Sequence, residues 1–339
     1  MNLINAIANS VNLPKGFLSN DVRLTKSQPT FHAKQRGRSD SKRNDTQPKP
    51  ILQLNPLPIT IEPSQYQNAK SNSNPNGDLK PLFALRQLVD PVPKFEHDYV
   101  ASSYSTEMLY ASILNGATIV NNEPFTSSVI GNAKSSFAEN ALQDMDGTPG
   151  NWRPIYAIPE DWASADISRF KEVSIDFDNT TKNSAFDTIQ GQDQLFWTLG
   201  NNQTQSLNAK SKIKSVKMKY LFVAFRRPWF DLLLFKMGNW FIQGQQSGFC
   251  SSGTTKLNNG ILPLLPTGML IAKDIVVDAD WHADDQAIVD QLAATGKTGC
   301  LGPFNLSRAK TSNSSLQVIG WVSEVVPFSP SGNEPANNQ

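Results

Sequence analysis

Histidine and cysteine are scarce in this chain, three of the one and two of the other among 339 residues. Cys250 and Cys300 are too few to staple a disulfide scaffold. His32, His97 and His282 limit the places where an imidazole could act as general base, and His32 stands in a polar stretch with nothing to hold it. Charge is thin too. Asp, Glu, Lys and Arg make up 18%, which leaves the polar surface largely to Asn, Ser, Thr, Gln, Gly and Pro. Those residues favour turns and strand edges over exposed helices. Long apolar runs are missing: the longest, 220–225 and the proline-broken 261–272, fall well short of the roughly 20 residues a membrane-crossing helix needs. The opening Met1-Asn2-Leu3-Ile4 lacks the charged start of a secretory signal. The expectation is a protein without a transmembrane segment, cytoplasmic or released without a classical signal peptide.

Complete catalytic motifs are also lacking. Gly296-Lys297-Thr298 matches the end of a phosphate-binding loop, but the glycine needed five positions earlier is Gln291. Gly296 reads instead as a helix stop. Asp176, Asp178 and Thr180 have the spacing of a phosphotransfer aspartate site, yet the strand before them alternates apolar and polar residues as a half-exposed strand does. No motif implies a cofactor.

What is present begins with a charge asymmetry. Residues 1–80 carry 11 Lys/Arg against 5 Asp/Glu, and the remainder carries 20 against 25. A basic arm on a mildly acidic body suits an acidic partner or nucleic acid, although this arm is weakly basic for the latter. Within it, residues 19–50 have no apolar period and read as disordered. Two segments break that reading. Leu3, Ile4, Ile7 and Val11 form one helical stripe ended by Pro14. Ile51, Leu52, Leu54, Leu57, Ile59 and Ile61 are too apolar for a free linker. Pro56 and Pro58 bar a central strand, so this segment should lie extended along an edge or groove, in its own chain or a neighbour's.

Beyond residue 79 the composition becomes globular. Residues 104–114 and 125–142 have helical spacing, and 171–178, 212–225, 269–280 and 316–328 read as strands. In 212–225, Val216, Met218, Tyr220 and Phe222 alternate with Lys217 and Lys219 before both faces turn apolar at Leu221 and Val223. Asn259-Gly260 is a hairpin-type turn signal, and 284–295 a helix. Strands do not alternate regularly with helices, so the fold class is α+β, a mainly antiparallel sheet or sandwich with a few short helices. The divisions expected are an arm at 1–79, one domain at 80–330 and a disordered tail at 331–339.

Chemistry has few places to sit. If the strand ending at Asp280 runs on, Asp278, Asp280 and His282 share one face, a donor set suited to a divalent cation. Acidic residues before a helix have a plainer use, because they oppose its dipole. Arg226 and Arg227 beside Trp229 could hold an anion, and Trp152, Trp162, Trp229 and Trp240 could stack on a ligand. The function these features favour is a non-catalytic structural or interaction protein, a homo-oligomer or part of a larger assembly. It would join through Leu3, Ile7, Val11, Ile51, Leu54, Leu57, Ile59 and Ile61. A metal-assisted hydrolase using Asp278, Asp280 and His282 comes second, and a small-ligand or carbohydrate-binding module third.

Overall fold

The structure is a computed structural model that describes residues 3–13, 49–143, 148–164, 167–177, 184–191, 194–200, 203–295, 299–306, 315–332 and 334. Nearly all of the disorder expected over 19–50, the helix stop at Gly296, the pair Asp178 and Thr180 and most of the tail lie outside the described residues. In chain order the first half holds α1 (Leu3–Ser10), β1 (Ile51–Ile61), α2 (Leu79–Val89), β2 (Pro91–Pro93), β3 (Ala101–Ser105), α3 (Thr106–Gly116), β4 (Ala117–Ile119), α4 (Pro124–Glu139), β5 (Tyr156–Ile158) and β6 (Lys171–Asp176). Then come β7 (Phe196–Leu199), β8 (Thr204–Ser206), β9 (Lys212–Arg226), α5 (Leu233–Lys236) and β10 (Trp240–Ile242). The chain continues with β11 (Leu264–Asp280), α6 (Ala283–Thr295), β12 (Gly299–Leu301), β13 (Phe304–Asn305) and β14 (Leu316–Val325).

The fold is α+β, and every strand ladder among the described residues is antiparallel. Its frame is a six-stranded sheet in the order β1-β14-β11-β9-β5, with β6 also paired to β9. Period two sends alternate side chains to opposite faces. On one face Leu221, Val223, Met269, Ile271 and Trp321 join the side chains of α2, α3, α4 and α5 in the largest apolar cluster. On the other, Val216, Met218, Tyr220, Phe222, Leu270 and Ile319 meet α1 and Phe304. The sheet is thus covered on both sides, which is why β9, β11 and β14 turn apolar on both faces where they cross the middle.

Local chemistry fixes the helices of the first face. The Ser105 hydroxyl accepts from Met108 N at 3.1 Å to cap α3, and the Glu123 carboxylate accepts from Phe125 N and Thr126 N to cap α4, where Pro124 is already set to helical φ. Buried Glu107 ties α2 and α3 to residue 153: it receives Arg86 at 2.9 Å on one oxygen and Arg153 at 3.1 Å on the other. The tryptophans offered for ligand stacking are part of this core. Trp152, Trp162, Trp229 and Trp240 are buried and present no face to a ligand.

A second, smaller sheet of four strands runs β13-β12-β7-β8 and packs with α6 around Trp197, Ile288, Leu292 and Leu301. It meets the frame where Ile213 of β9 and Val277 of β11 join its core, and through β13, whose Phe304 packs in the core beneath α1 and whose Asn305 N donates to Gln317 Oε1 of β14 at 2.8 Å. In β11, residues 264–273 are buried except Thr267. Asp274 then takes a left-handed conformation (φ 54) within a register irregularity, and from there to Asp280 exposed and half-buried residues alternate. The hairpin expected at Asn259-Gly260 is absent. No ladder flanks it, and Gly260 instead lies so close to the main chain of Cys250 that a Cβ would stand 2.2 Å from the Cys250 carbonyl oxygen. The glycine serves a close approach between two parts of one loop.

Candidate interaction site

The two apolar segments expected in an arm ahead of the domain are packed within it. In α1 Leu3, Ile4, Ala6, Ile7 and Ala8 are all buried, as is Val11 just beyond, and Asn5 is the exposed residue of the helix. A helix of this length is marginal alone, so its stability comes from the surface it covers. That surface is the second face of the sheet, at Ile175, Val216, Met218 and Tyr220. Residues 184–188 close over the other side. Ser184 Oγ donates to Ala8 O at 3.0 Å, Thr188 Oγ1 donates to Asn5 Oδ1 at 3.2 Å, and Phe186 is buried in the same cluster. This strap is itself held to the frame, Leu52 N donating to Asp187 O and Asp187 N to Pro50 O, each at 2.9 Å. The helix therefore sits as an insert between sheet and strap.

The proline-bearing segment is β1, an edge strand paired to β14 of its own chain. Its ladder is fuller than an extended segment in a groove would have, and the prolines explain where it breaks. Leu54 pairs with Gly320 and Ile59 with Val318, so residues 55–58 bulge out against one partner residue. Pro56 and Pro58, which lack an N–H to give to a ladder, stand in that bulge. Asn55 repairs the gap with its side chain. Its amide donates to Val318 O at 2.7 Å, and its carbonyl accepts from Trp321 Nε1 at 2.9 Å. Of the candidate contact residues, Leu3, Ile7, Val11, Ile51, Leu54 and Ile61 are buried and Ile59 is half-buried. Leu57, at the tip of the bulge, is 45% exposed and does not serve the packing expected of it.

A cavity of about 440 Å³ opens at the first turn of α1. Leu3 and Ile4 form one wall, Leu54 to Pro56 another, and Phe177, Phe196, Leu207 and Ile213 much of the rest. His97 and Asp98 stand at its rim with Nδ1 and Oδ1 3.0 Å apart.

The remaining candidates are held elsewhere. The ladder is irregular between Asp278 and Ala279, and β11 ends at Asp280, so His282 lies in the turn into α6 rather than on the strand. The Asp280 carboxylate is 2.6 Å from Lys214 Nζ. His282 opens the helix: its carbonyl accepts from Gln286 N at 2.8 Å, and its Nδ1 is 3.1 Å from Asn208 Nδ2. No group of three or more His, Cys, Asp or Glu side chains able to hold a metal occurs among the described residues. Asp285, which the sequence did not single out, is the organising group here. It is fully buried and accepts from Trp197 Nε1 and Asn208 N, each at 3.0 Å, and from Ser211 Oγ. Asp285, in the first turn of α6, thus fastens the helix to β7 and the 208–211 turn. Only an acidic first turn signalled it, since Trp197 and Asn208 are far away in sequence.

Arg227 is engaged inside the protein. Its guanidinium is buried and donates to Val89 O at 2.9 Å and to Pro266 O, with Asp90 as the nearby counter-charge. Burial lowers its pKa to about 10 and raises that of Asp90. Arg226 lies over the Tyr156 ring, 5.5 Å from its centre. Cys250 and Cys300 are free thiols. No helix among the described residues is long and apolar enough to cross a membrane. No family model, curated protein or solved structure matches this chain.

Proposed function

We propose that this chain is a non-catalytic structural protein that assembles by exchanging its N-terminal helix between copies. The observation that carries this is α1 itself, a helix buried on almost every side yet joined to the frame only through residues 14–48. The path from residue 13 to residue 49 can reach roughly 120 Å when fully extended. That is ample for α1 to enter the slot of a neighbouring copy. The helix meets the same side chains whichever copy supplies it, so exchange adds no new chemistry and costs only the association of two chains. Exchange prevails where copies are crowded, as in an assembling particle. The strap over α1 adds a condition. The helix is enclosed, so exchange belongs to folding or to a strap-opening step rather than to casual collision.

A disulfide trap tests this. Asn5→Cys with Thr188→Cys, in a chain carrying Cys250→Ala and Cys300→Ser, places two thiols where the Thr188 hydroxyl now meets the Asn5 side-chain carbonyl. After refolding at increasing protein concentration and oxidation, non-reducing gels should show crosslinked dimers and higher species, and light scattering a matching rise in molar mass. Crosslinks confined to single chains, with a monomeric mass at every concentration, would overturn the proposal.

A further inference from the structure

We infer that the cavity at the first turn of α1 is a binding site for a small apolar molecule carrying one polar end. Its volume, about 440 Å³, is within the range of sites that enclose small organic ligands. Its walls come from well-separated parts of the chain: Leu3 and Ile4, Leu54, Phe177, Phe196, Leu207 and Ile213. Leu3 and Ile4 are anchored in α1, Leu54 in β1, Phe196 in β7 and Ile213 in β9, so the walls are held by separate elements.

Two of the polar groups in the lining are engaged within the protein. Asn55 is bound to Val318 and Trp321, and the Ser211 hydroxyl donates to Asp285 and accepts from His282 N at 2.8 Å. An occupant's body is apolar where it meets Leu3, Ile4, Leu54, Phe177, Leu207 and Ile213, and its polar end faces the side where Gln194, His97, Asp98 and Lys212 line the cavity. The rim differs. Exposed Lys212 and Asp98 and half-buried His97 lie there, where a polar end remains in contact with water. Phe196, 41% exposed at the mouth, would be covered by an occupant. At Gly302, which lines the cavity with φ 52, a Cβ would strike Leu195 Cδ2 at 2.7 Å. The glycine lets the turn close this side of the cavity.

Because α1 supplies a wall, an occupant favours the docked helix over the undocked one by its difference in affinity. The site is the same whether α1 comes from its own chain or a neighbour's, so it does not rest on helix exchange. The probe is the neutral dye N-phenyl-1-naphthylamine, titrated into the full-length chain and followed by fluorescence. Saturable binding of one dye per chain is expected, with a rise in melting temperature. Leu207→Trp, which fills the cavity, and Phe196→Asp, which puts a charge at its mouth, should each weaken binding at least tenfold while circular dichroism keeps the native spectrum. If one variant fails to fold, the other still decides. Leu257→Ser removes the most exposed large apolar side chain, 68% exposed and outside the cavity, and should leave affinity unchanged. Absence of saturable binding, full affinity in the folded cavity variants, or loss of binding in Leu257→Ser would overturn the inference. Dye stoichiometry and affinity are read separately from molar mass, so failure here is distinct from failure of helix exchange.

Discussion

Burial pushes the Cys250 thiol from its ordinary 9.0 up to about 12. Below about pH 9 both the folded and the unfolded chain keep this proton, so the contribution to stability is complete. Between 9 and 12 the unfolded chain loses the proton while the folded one retains it, and stability drains away as pH rises. Burial raises the phenols of Tyr99 and Tyr110 above their ordinary 10.0, so they act with the same sign from about pH 10. Burial lowers the pKa of Arg227, which acts with the opposite sign. Alkaline unfolding followed by circular dichroism should therefore begin near pH 9. In Cys250→Ala the onset should move toward pH 10, and an unmoved onset would show that the thiol is not sealed as described. The same burial keeps Cys250 from acting as a nucleophile near neutral pH, since the thiolate is the reactive form.

Elements show how far side-chain periodicity alone reaches. The alternation in β9 is visible in the sequence, and the burial follows it: Val216, Met218, Tyr220 and Phe222 are buried, while Lys217 is exposed and Lys219 pairs with Asp274 at 2.9 Å. Phe222→Ala should cost about 3–5 kcal/mol, and Lys217→Ala should stay within about 0.5 kcal/mol. Chemical denaturation of both variants checks the register, and equal losses would mean that it is wrong. The stripe of α1 and the aliphatic run of β1 were legible for the same reason. The repair of the β1 bulge by Asn55 was not, because its partners Val318 and Trp321 lie at the other end of the chain. The turn before α6 misled for a similar reason: Asp278, Asp280 and His282 suggest a shared face only until Lys214 and Asn208 arrive from elsewhere. Asn259-Gly260 carried a turn signal, but a glycine that allows two backbones to touch looks the same in sequence as one that allows a hairpin.

For the whole molecule, the left-handed residue at Asp274 matters more than its size suggests. On one side of it β9 and β11 are roofed on both faces by the main cores, and on the other they carry the small sheet and α6 over a core built on Trp197, Ile288, Leu292 and Leu301. Half-buried Ile213 and Val277 link that core to the larger one without sealing it. Two parts of one strand pair therefore differ in how much must come apart before their amides meet water. In native-state hydrogen exchange, amides of residues 212–215 and 276–280 should open together with α6, at a free energy below that of global unfolding. Amides of residues 220–223 and 269–272 should exchange only when the whole molecule opens. A single protection level along both strands would mean that they open as one unit. With two levels, the kink at Asp274 is a fuse: thermal or chemical stress spends itself first on α6 and the strand ends beyond the kink, while the central strands of the frame are still shut.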